Sequence, residues 1–244
     1  MADLAGAYAD ARRRLHELLA GLDQAALAAQ VPACPAWTVQ DVLAHLTSVA
    51  ADTTSGTYFS GAVDAWTDTR LAAARDEWTA RQVRSRRGQP VKALLAEWAG
   101  RAALLEPMLA GTVPPPPGSP AWLLSGPVGD LAVHLHDVRG ALRQPGDRDA
   151  PATGLGLRIY ARWLGRRLDQ AGRPAVRLRA GGREWVEGSR RSAAALAADA
   201  FELFRALSGR RTLNQVRALA WDGDPEPYLD LFAPYPMPAS PLAE

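Results

Sequence analysis

Gly129-Asp130-Leu131-Ala132-Val133-His134-Leu135-His136-Asp137 is the stretch on which the reading of this chain turns. Residues four apart on an α-helix point the same way, so on a helix Asp130 and His134 can grip one ion together. A third ligand from a neighbouring helix completes a facial set of two imidazoles and one carboxylate. Such a set leaves coordination positions open, which separates a catalytic metal from a structural one. His45, on another predicted helix, is the candidate third ligand. The chain has four histidines, and three fall in or beside this arrangement. His136 lies two residues past His134 and faces about 200° away around the helix, outside the set.

Working outward, the flanking sequence supplies helices long enough to carry such a site. Leu4 to Leu19 is apolar at helical spacing, with His16 at a surface or boundary position. Gly21-Leu22-Asp23 reads as a stop and restart. Cys34-Pro35-Ala36-Trp37 marks a turn, and Thr38-Val39-Gln40-Asp41 is a capping box for a helix carrying Val42, His45, Leu46 and Val49 on one face as far as about Phe59. Trp66 to Arg87 is a further helical stretch with a break expected near Trp78-Thr79. Pro90 fits a first helical position, and Val91 to Leu109 is strongly periodic, with Pro107 placed to kink its last turn. Pro114 to Pro117 with Gly118 forms a stiff connector. A helix from Pro127 to Leu142 then holds Asp130 and His134. Long helices joined this way predict a four-helix bundle, whose core is where ligands from facing helices converge.

The pattern changes near residue 145. Gln144-Pro145-Gly146-Asp147 and Asp149-Ala150-Pro151 read as a linker. Leu157 to Ala171 is helical. Ala175 to Arg179 and Glu184 to Glu187 alternate as strands do, with Gly181-Gly182 as the hairpin turn. Ser192 to Leu207 reads as one amphipathic helix, Leu213 to Leu219 as a short one, and the last dozen residues as an irregular tail. The expected organisation is a helical bundle over 1–145 and a small α+β domain over 152–238.

Composition narrows the classes. At 244 residues, with 48% hydrophobic and 22% charged residues, the chain can bury a sizeable core. Lys92 is the one lysine among 28 basic residues, leaving 27 arginines. These are interleaved with acids along the chain, and a nucleic-acid footprint needs clustering. The net charge is +2. No basic segment with an apolar core opens the chain, and no run of about 18 apolar residues occurs. A cytoplasmic monomer that contacts neither membrane nor nucleic acid is expected. Cys34 is the single cysteine, so no internal disulfide forms; in its turn it reads as an inert thiol.

Other residues have bland roles beside sharper ones. Asp41, one turn before His45, can hold the second ring nitrogen of that imidazole, or simply cap its helix. Asp137 can hold His134, or pair with Arg143 at the surface. Gly181-Gly182 is a turn and not a phosphate loop.

Two of these stretches resemble a known family. The run Val31-Pro32-Ala33-Cys34-Pro35-Ala36-Trp37-Thr38-Val39-Gln40-Asp41-Val42-Leu43-Ala44-His45-Leu46 is similar to a signature of the mycothiol-dependent maleylpyruvate isomerase family, within the DinB/YfiT-like four-helix metalloproteins. Asp130 to Arg139 resembles its second motif, in which Glu, three residues and His is the usual form. Ser192 through Gly209-Arg210-Arg211 to Asp224 resembles its C-terminal domain. The resemblance implies a DinB-like four-helix bundle followed by a small α+β C-terminal domain. It also implies a divalent metal, usually zinc, on His45, Asp130 and His134. Asp130 departs from the usual Glu and is shorter by one methylene.

The resemblance further implies mycothiol as cosubstrate. A metal beside a thiol stabilises the thiolate, which adds to an activated double bond or electrophilic carbon. In an isomerase it then leaves; in a transferase it stays. Arginines are natural anchors for an anionic substrate, and Arg210 and Arg211 are the candidates. Two alternatives stand beside this reading: a metal-dependent hydrolase using metal-bound water, and a non-catalytic module that binds a thiol or small ligand.

Overall fold

Thr38 starts the helix that carries His45. Its side chain accepts from the Asp41 amide while the Asp41 carboxylate accepts from the Thr38 amide, the reciprocal capping box expected from the sequence. In the computed structural model, which describes residues 3–60, 65, 68–120, 122–242 and 244, seven α-helices precede the sheet among those residues. They are α1 (Leu4–Ala20), α2 (Gln24–Leu27), α3 (Val39–Ser55), α4 (Ala72–Arg84), α5 (Val91–Leu109), α6 (Gly126–Ala141) and α7 (Pro151–Gln170). The helix α3 stops at Ser55, short of Phe59, because Gly56 takes a left-handed conformation at φ +72°. A Cβ at Gly56 would also come within 2.9 Å of Pro116 Cβ.

The long helices pack on one another through their apolar stripes. The helix α5 lies along α1 and α3, and α6 lies against both α1 and α3. One cluster of buried apolar side chains runs from Ala7 through Leu43, Trp98 and Leu131 to Leu178 and Phe232. No described helix is long and apolar enough to cross a membrane.

Three helical expectations shift. Trp66 lies outside the described residues, as do 61–64 and 67; a short 3-10 turn over Thr69–Leu71 leads into α4. No break occurs at Trp78-Thr79, since α4 runs unbroken to Arg84. The helix α7 starts at Pro151, six residues before Leu157. Proline at the first helical position lacks only a donor the helix cannot use there, so part of the presumed linker is its first turn. Gly156 lets α7 approach closely: a Cβ there would meet Phe204 at 2.6 Å and Ala132 Cβ at 3.2 Å.

The C-terminal part holds a four-stranded sheet in the order β2-β1-β3-β4. The strands are β1 (Ala175–Ala180), β2 (Arg183–Glu187), β3 (Ser192–Ala197) and β4 (Ala220–Asp222). The pairs β1–β2 and β3–β4 are antiparallel, while β1 and β3 run parallel. Between β3 and β4 come α8 (Ala200–Leu207) and α9 (Leu213–Arg217), and α10 (Glu226–Leu229) follows. The helix α7 packs against β1, β2 and α8. The result is a mostly helical N-terminal region followed by a small sheet.

The expected single helix over Ser192–Leu207 is therefore incorrect. Its alanine-rich first half favours a helix by propensity, yet it pairs with β1 and β4 and buries Ala194, Ala195 and Leu196. Tertiary pairing overrides a weak local preference. Asp199 starts the real helix by accepting from the Phe201 and Glu202 amides.

Candidate metal centre

Two helices deliver the three side chains singled out in the sequence to one place. His45 comes from the middle of α3, and Asp130 and His134 from successive turns of α6. Each offers a ligand atom, and these atoms all lie within 4.8 Å of one another. His45 Nε2 is 3.2 Å from Asp130 Oδ2, and His134 Nε2 is 3.6 Å from Asp130 Oδ1. Both imidazoles are buried. Trp37 packs over them, its ring 4.8 Å from His45 and 5.8 Å from His134 between centroids.

The far side of each imidazole faces a polar side chain. His45 Nδ1 lies 2.9 Å from Gln82 Oε1 on α4, and Gln82 Nε2 donates to Asp52 Oδ2 at 2.7 Å. The donor bond to Asp52 fixes the amide orientation, so the oxygen faces His45 and the proton of that ring sits on Nδ1. In the neutral ring a lone pair on Nε2 then faces the Asp130 carboxylate; in the protonated ring Nε2 pairs with that carboxylate instead. Asp130 Oδ2 is buried and receives no hydrogen bond among the described residues. Two acceptors aimed at each other are satisfied by a cation between them, so this donor set fits a metal ion.

Asp41 does not hold His45. It caps α3 and contacts Arg87 at 3.3 Å; Gln82 takes the position next to the ring.

On the other imidazole, His134 Nδ1 lies 3.0 Å from Asp137 Oδ2, within ion-pair reach but not aligned for a hydrogen bond. Asp137 is fully buried and does not reach Arg143. Arg205 Nη2 donates to its Oδ1 at 2.6 Å, and Arg210 Nη2 to its Oδ2 at 2.8 Å. Arg205 also bonds the Val133 carbonyl at 3.1 Å and the Glu244 carboxylate. Burial works to raise the Asp137 carboxyl, but Arg210 and Arg205 overrule it and hold it well below the usual range. For Asp130, desolvation acts upward and the imidazoles of His45 and His134 bring it below its ordinary value. Burial also opposes charge on His134, yet Asp130 and Asp137 push it up to about 10. Ligation by His134 requires loss of that proton. His136, as expected, faces away; its Nε2 lies 2.9 Å from Thr153 Oγ1. Burial, aided by Arg205, drives His136 down to about 3.

The three side chains open onto a cavity of about 1120 Å³. Cys34 lines it, half-buried, with Sγ 3.8 Å from Asp137 Oδ2 and from Arg210 Nη2. Cys34, His134 and Asp137 form a second cluster of ligand type, but guanidinium groups already occupy Asp137. The Pro-rich stretch over residues 235–242, read as a tail, forms one wall of the cavity. Arg210 lines the cavity while bound to Asp137; Arg211 is tied to Glu202 and Glu244 at 2.8 and 2.7 Å. Both expected anion anchors are thus committed to carboxylates of the protein itself.

Gln82 and Arg205 escaped the sequence reading, whereas the pairing of Asp137 with His134 was one of the two roles it offered. Asp137 had a signal, its i+3 spacing from His134. Gln82 and Arg205 had none, because their partners are distant in the chain.

Helices that converge two imidazoles and a carboxylate at the floor of a cavity, backed by a small mixed sheet, define a class of helical protein with a candidate metal centre. The sequence profile of the Mycothiol maleylpyruvate isomerase N-terminal domain matches residues 8–139, and the chain belongs to that family. Among solved structures, the chain is similar to a crystal structure of a mutant of the mycothiol-dependent maleylpyruvate isomerase. That alignment covers 84% of this chain and 88% of the other at 13% identity, with a TM-score of 0.55. A second crystal structure of the mycothiol-dependent maleylpyruvate isomerase covers 85% and 88% at 12% identity, with a TM-score of 0.48. At such identity the likeness of the first is one of fold. No curated protein matches the chain.

Proposed function

We propose that the chain is a divalent-metal enzyme of the maleylpyruvate isomerase family that uses mycothiol as cosubstrate, with His45, Asp130 and His134 as ligands. The observation that carries this reading is the convergence of three ligand atoms within 4.8 Å of one another, with the buried Asp130 Oδ2 3.2 Å from His45 Nε2. Two imidazoles and a carboxylate suit zinc and other borderline divalent cations. The aspartate at the usual glutamate position already comes within 3.2 and 3.6 Å of the two rings, which supports it as a ligand despite its shorter side chain. On this reading α1, α3, α5 and α6 are the four-helix bundle of the DinB-like metalloproteins.

A divalent cation held there supplies Lewis-acid stabilisation to the thiolate of the cosubstrate. The residues of the chain supply position. Gln82 holds His45 with Nε2 turned toward Asp130, Asp137 pairs electrostatically with His134 from behind, and the cavity beyond offers room for thiol and substrate side by side. The thiol sulfur attacks an electrophilic carbon. In an isomerisation, addition turns a double bond into a single bond, the adduct rotates about it, and the thiol is expelled. In an S-transfer the adduct is the product.

Metal analysis of the purified protein beside the His45→Ala variant tests the site. One equivalent of metal is expected in the parent and none in the variant; equal contents in both would remove the assignment. Turnover is expected only with mycothiol added. Activity without any thiol assigns hydrolysis instead, and a protein whose melting temperature ignores zinc is a binding module.

A further inference from the structure

The cavity above the candidate metal centre has a character of its own. Four of the eight tryptophans of the chain, Trp37, Trp78, Trp122 and Trp163, line it. Tyr160 sits edge-on to Trp163 at 5.0 Å, and Tyr58 edge-on to Trp122 at 6.4 Å. Aromatic walls of this kind offer ring faces and edges for stacking.

The charges on the wall are of the opposite kind to those that bind acids. Four carboxylates, Asp52, Asp76, Glu77 and Asp130, stand against two guanidiniums, Arg75 and Arg210, among the described lining residues. With both imidazoles neutral, as ligands of a metal, the formal sum is +2 − 4 = −2, which a bound divalent cation brings to zero; Glu77 is in addition paired with Arg84 at 2.6 Å. Neither guanidinium presents a free fork, the geometry that grips a carboxylate. Arg75 gives Nη1 to the Ala65 and Asp68 carbonyls and Nη2 to the Pro234 carbonyl, leaving Nε alone unbonded. Arg210 is bound to Asp137 and to the Ser208 carbonyl.

We infer that this cavity selects an uncharged, ring-bearing electrophile and discriminates against small dicarboxylates. The inference rests on the reading of the site as a thiol-using metal centre and names its substrate class. The rings of the ligand stack on the tryptophans and displace water from apolar surface. A dianion, in contrast, meets a wall with no net positive charge even when the metal is bound, and gains no bidentate arginine. The volume of about 1120 Å³ exceeds an ordinary small-molecule site of roughly 300–1,000 Å³, which leaves space for a thiol beside the ring.

The test is calorimetric titration of the zinc-loaded protein with two probes, 2-naphthol as uncharged ring and maleate as small dianion. 2-Naphthol is expected to bind at least about tenfold more tightly, the step set by 1.4 kcal/mol. Trp163→Ala is expected to weaken 2-naphthol severalfold. Should that variant fail to fold, the exposed pair Asp76→Asn/Glu77→Gln carries the test, and is expected to shift the probe preference severalfold toward maleate. Tighter binding of maleate by the parent, or an unchanged preference in the charge variant, overturns the inference. Zinc content measured on the same samples separates the two readings. A zinc-free protein that still prefers 2-naphthol keeps the cavity inference and loses the metal one; a zinc-loaded protein that prefers maleate does the reverse.

Discussion

Gln82 Oε1 sits 2.9 Å from His45 Nδ1, and this contact decides which nitrogen of the ring is free to bind. Gln82→Leu removes the acceptor and frees the ring to rotate or change tautomer. Zinc affinity is expected to fall by about 10–100-fold, the usual cost of losing the outer partner of a ligating histidine. Competition with a chromophoric chelator measures it, and a change under threefold would show that Gln82 does not orient the ring. Gln82→Glu combined with Asp52→Asn, which keeps an acceptor toward His45 and a donor behind it, is expected to retain metal.

Asp137 neutralises a guanidinium that is almost wholly buried at the edge of the cavity. Arg210 donates to it twice, at 2.8 and 3.3 Å, and no other carboxylate pairs with Arg210 among the described residues. Asp137→Asn keeps the shape and removes the charge. Breaking a buried pair from one side costs about 3–5 kcal/mol, and urea unfolding at pH 7 is expected to register a loss of that order. A loss below about 1 kcal/mol would mean that solvent or Glu244 compensates.

Glu187 supplies a pH dependence with a definite sign. It is half-buried on β2, against α7, where a Cβ on Gly165 would lie 3.0 Å from its Oε2. Burial raises its carboxyl above the ordinary value, more than Arg162 and Trp185 lower it. An acid raised in the folded state is neutral in both states below about pH 4, and there it costs nothing. As pH climbs through its folded value, the folded protein must carry a poorly solvated charge and loses stability. Glu187→Gln is therefore expected to raise the melting temperature at pH 7 and to leave it unchanged at pH 4. The same gain at both pH values would refute a charge effect.

Gly156 marks a close approach of α7 to α8 and α6. Gly156→Ala forces Cβ to within 2.6 Å of Phe204 unless the ring moves. Overpacking of this size costs about 1–3 kcal/mol, more than the helix-propensity gain of roughly 1 kcal/mol for replacing glycine. Thermal melting is expected to show net destabilisation, and an unchanged or raised midpoint would mean that Phe204 yields freely.

The candidate ligands were legible because their geometry is local. Asp130 and His134 are one helical turn apart, and the capping box at Thr38 fixes the phase of the helix that presents His45. What stayed hidden depends on contacts made across the chain. Gln82 meets His45 over 37 residues, and Arg205 meets Asp137 over 68; no periodicity encodes such a meeting. The strand β3 was misread for a related reason. Its alanines suit a helix in isolation, and only β1 and β4 on either side make it a strand. Asp199, followed three residues later by Glu202, was a readable start signal within that run. The Pro-rich stretch near the end was correctly read as irregular, but composition could not show that it walls the cavity.

Asp137 lies within the segment that defines the family, yet both cations that balance it come from beyond residue 200. Recombination that kept the first segment and exchanged the remainder would strand an ionised group under the floor of the cavity. The two portions are thus coupled by electrostatics, not merely by a peptide link. In a chimaera library, only crossovers that carry along cations equivalent to Arg205 and Arg210 would preserve the centre.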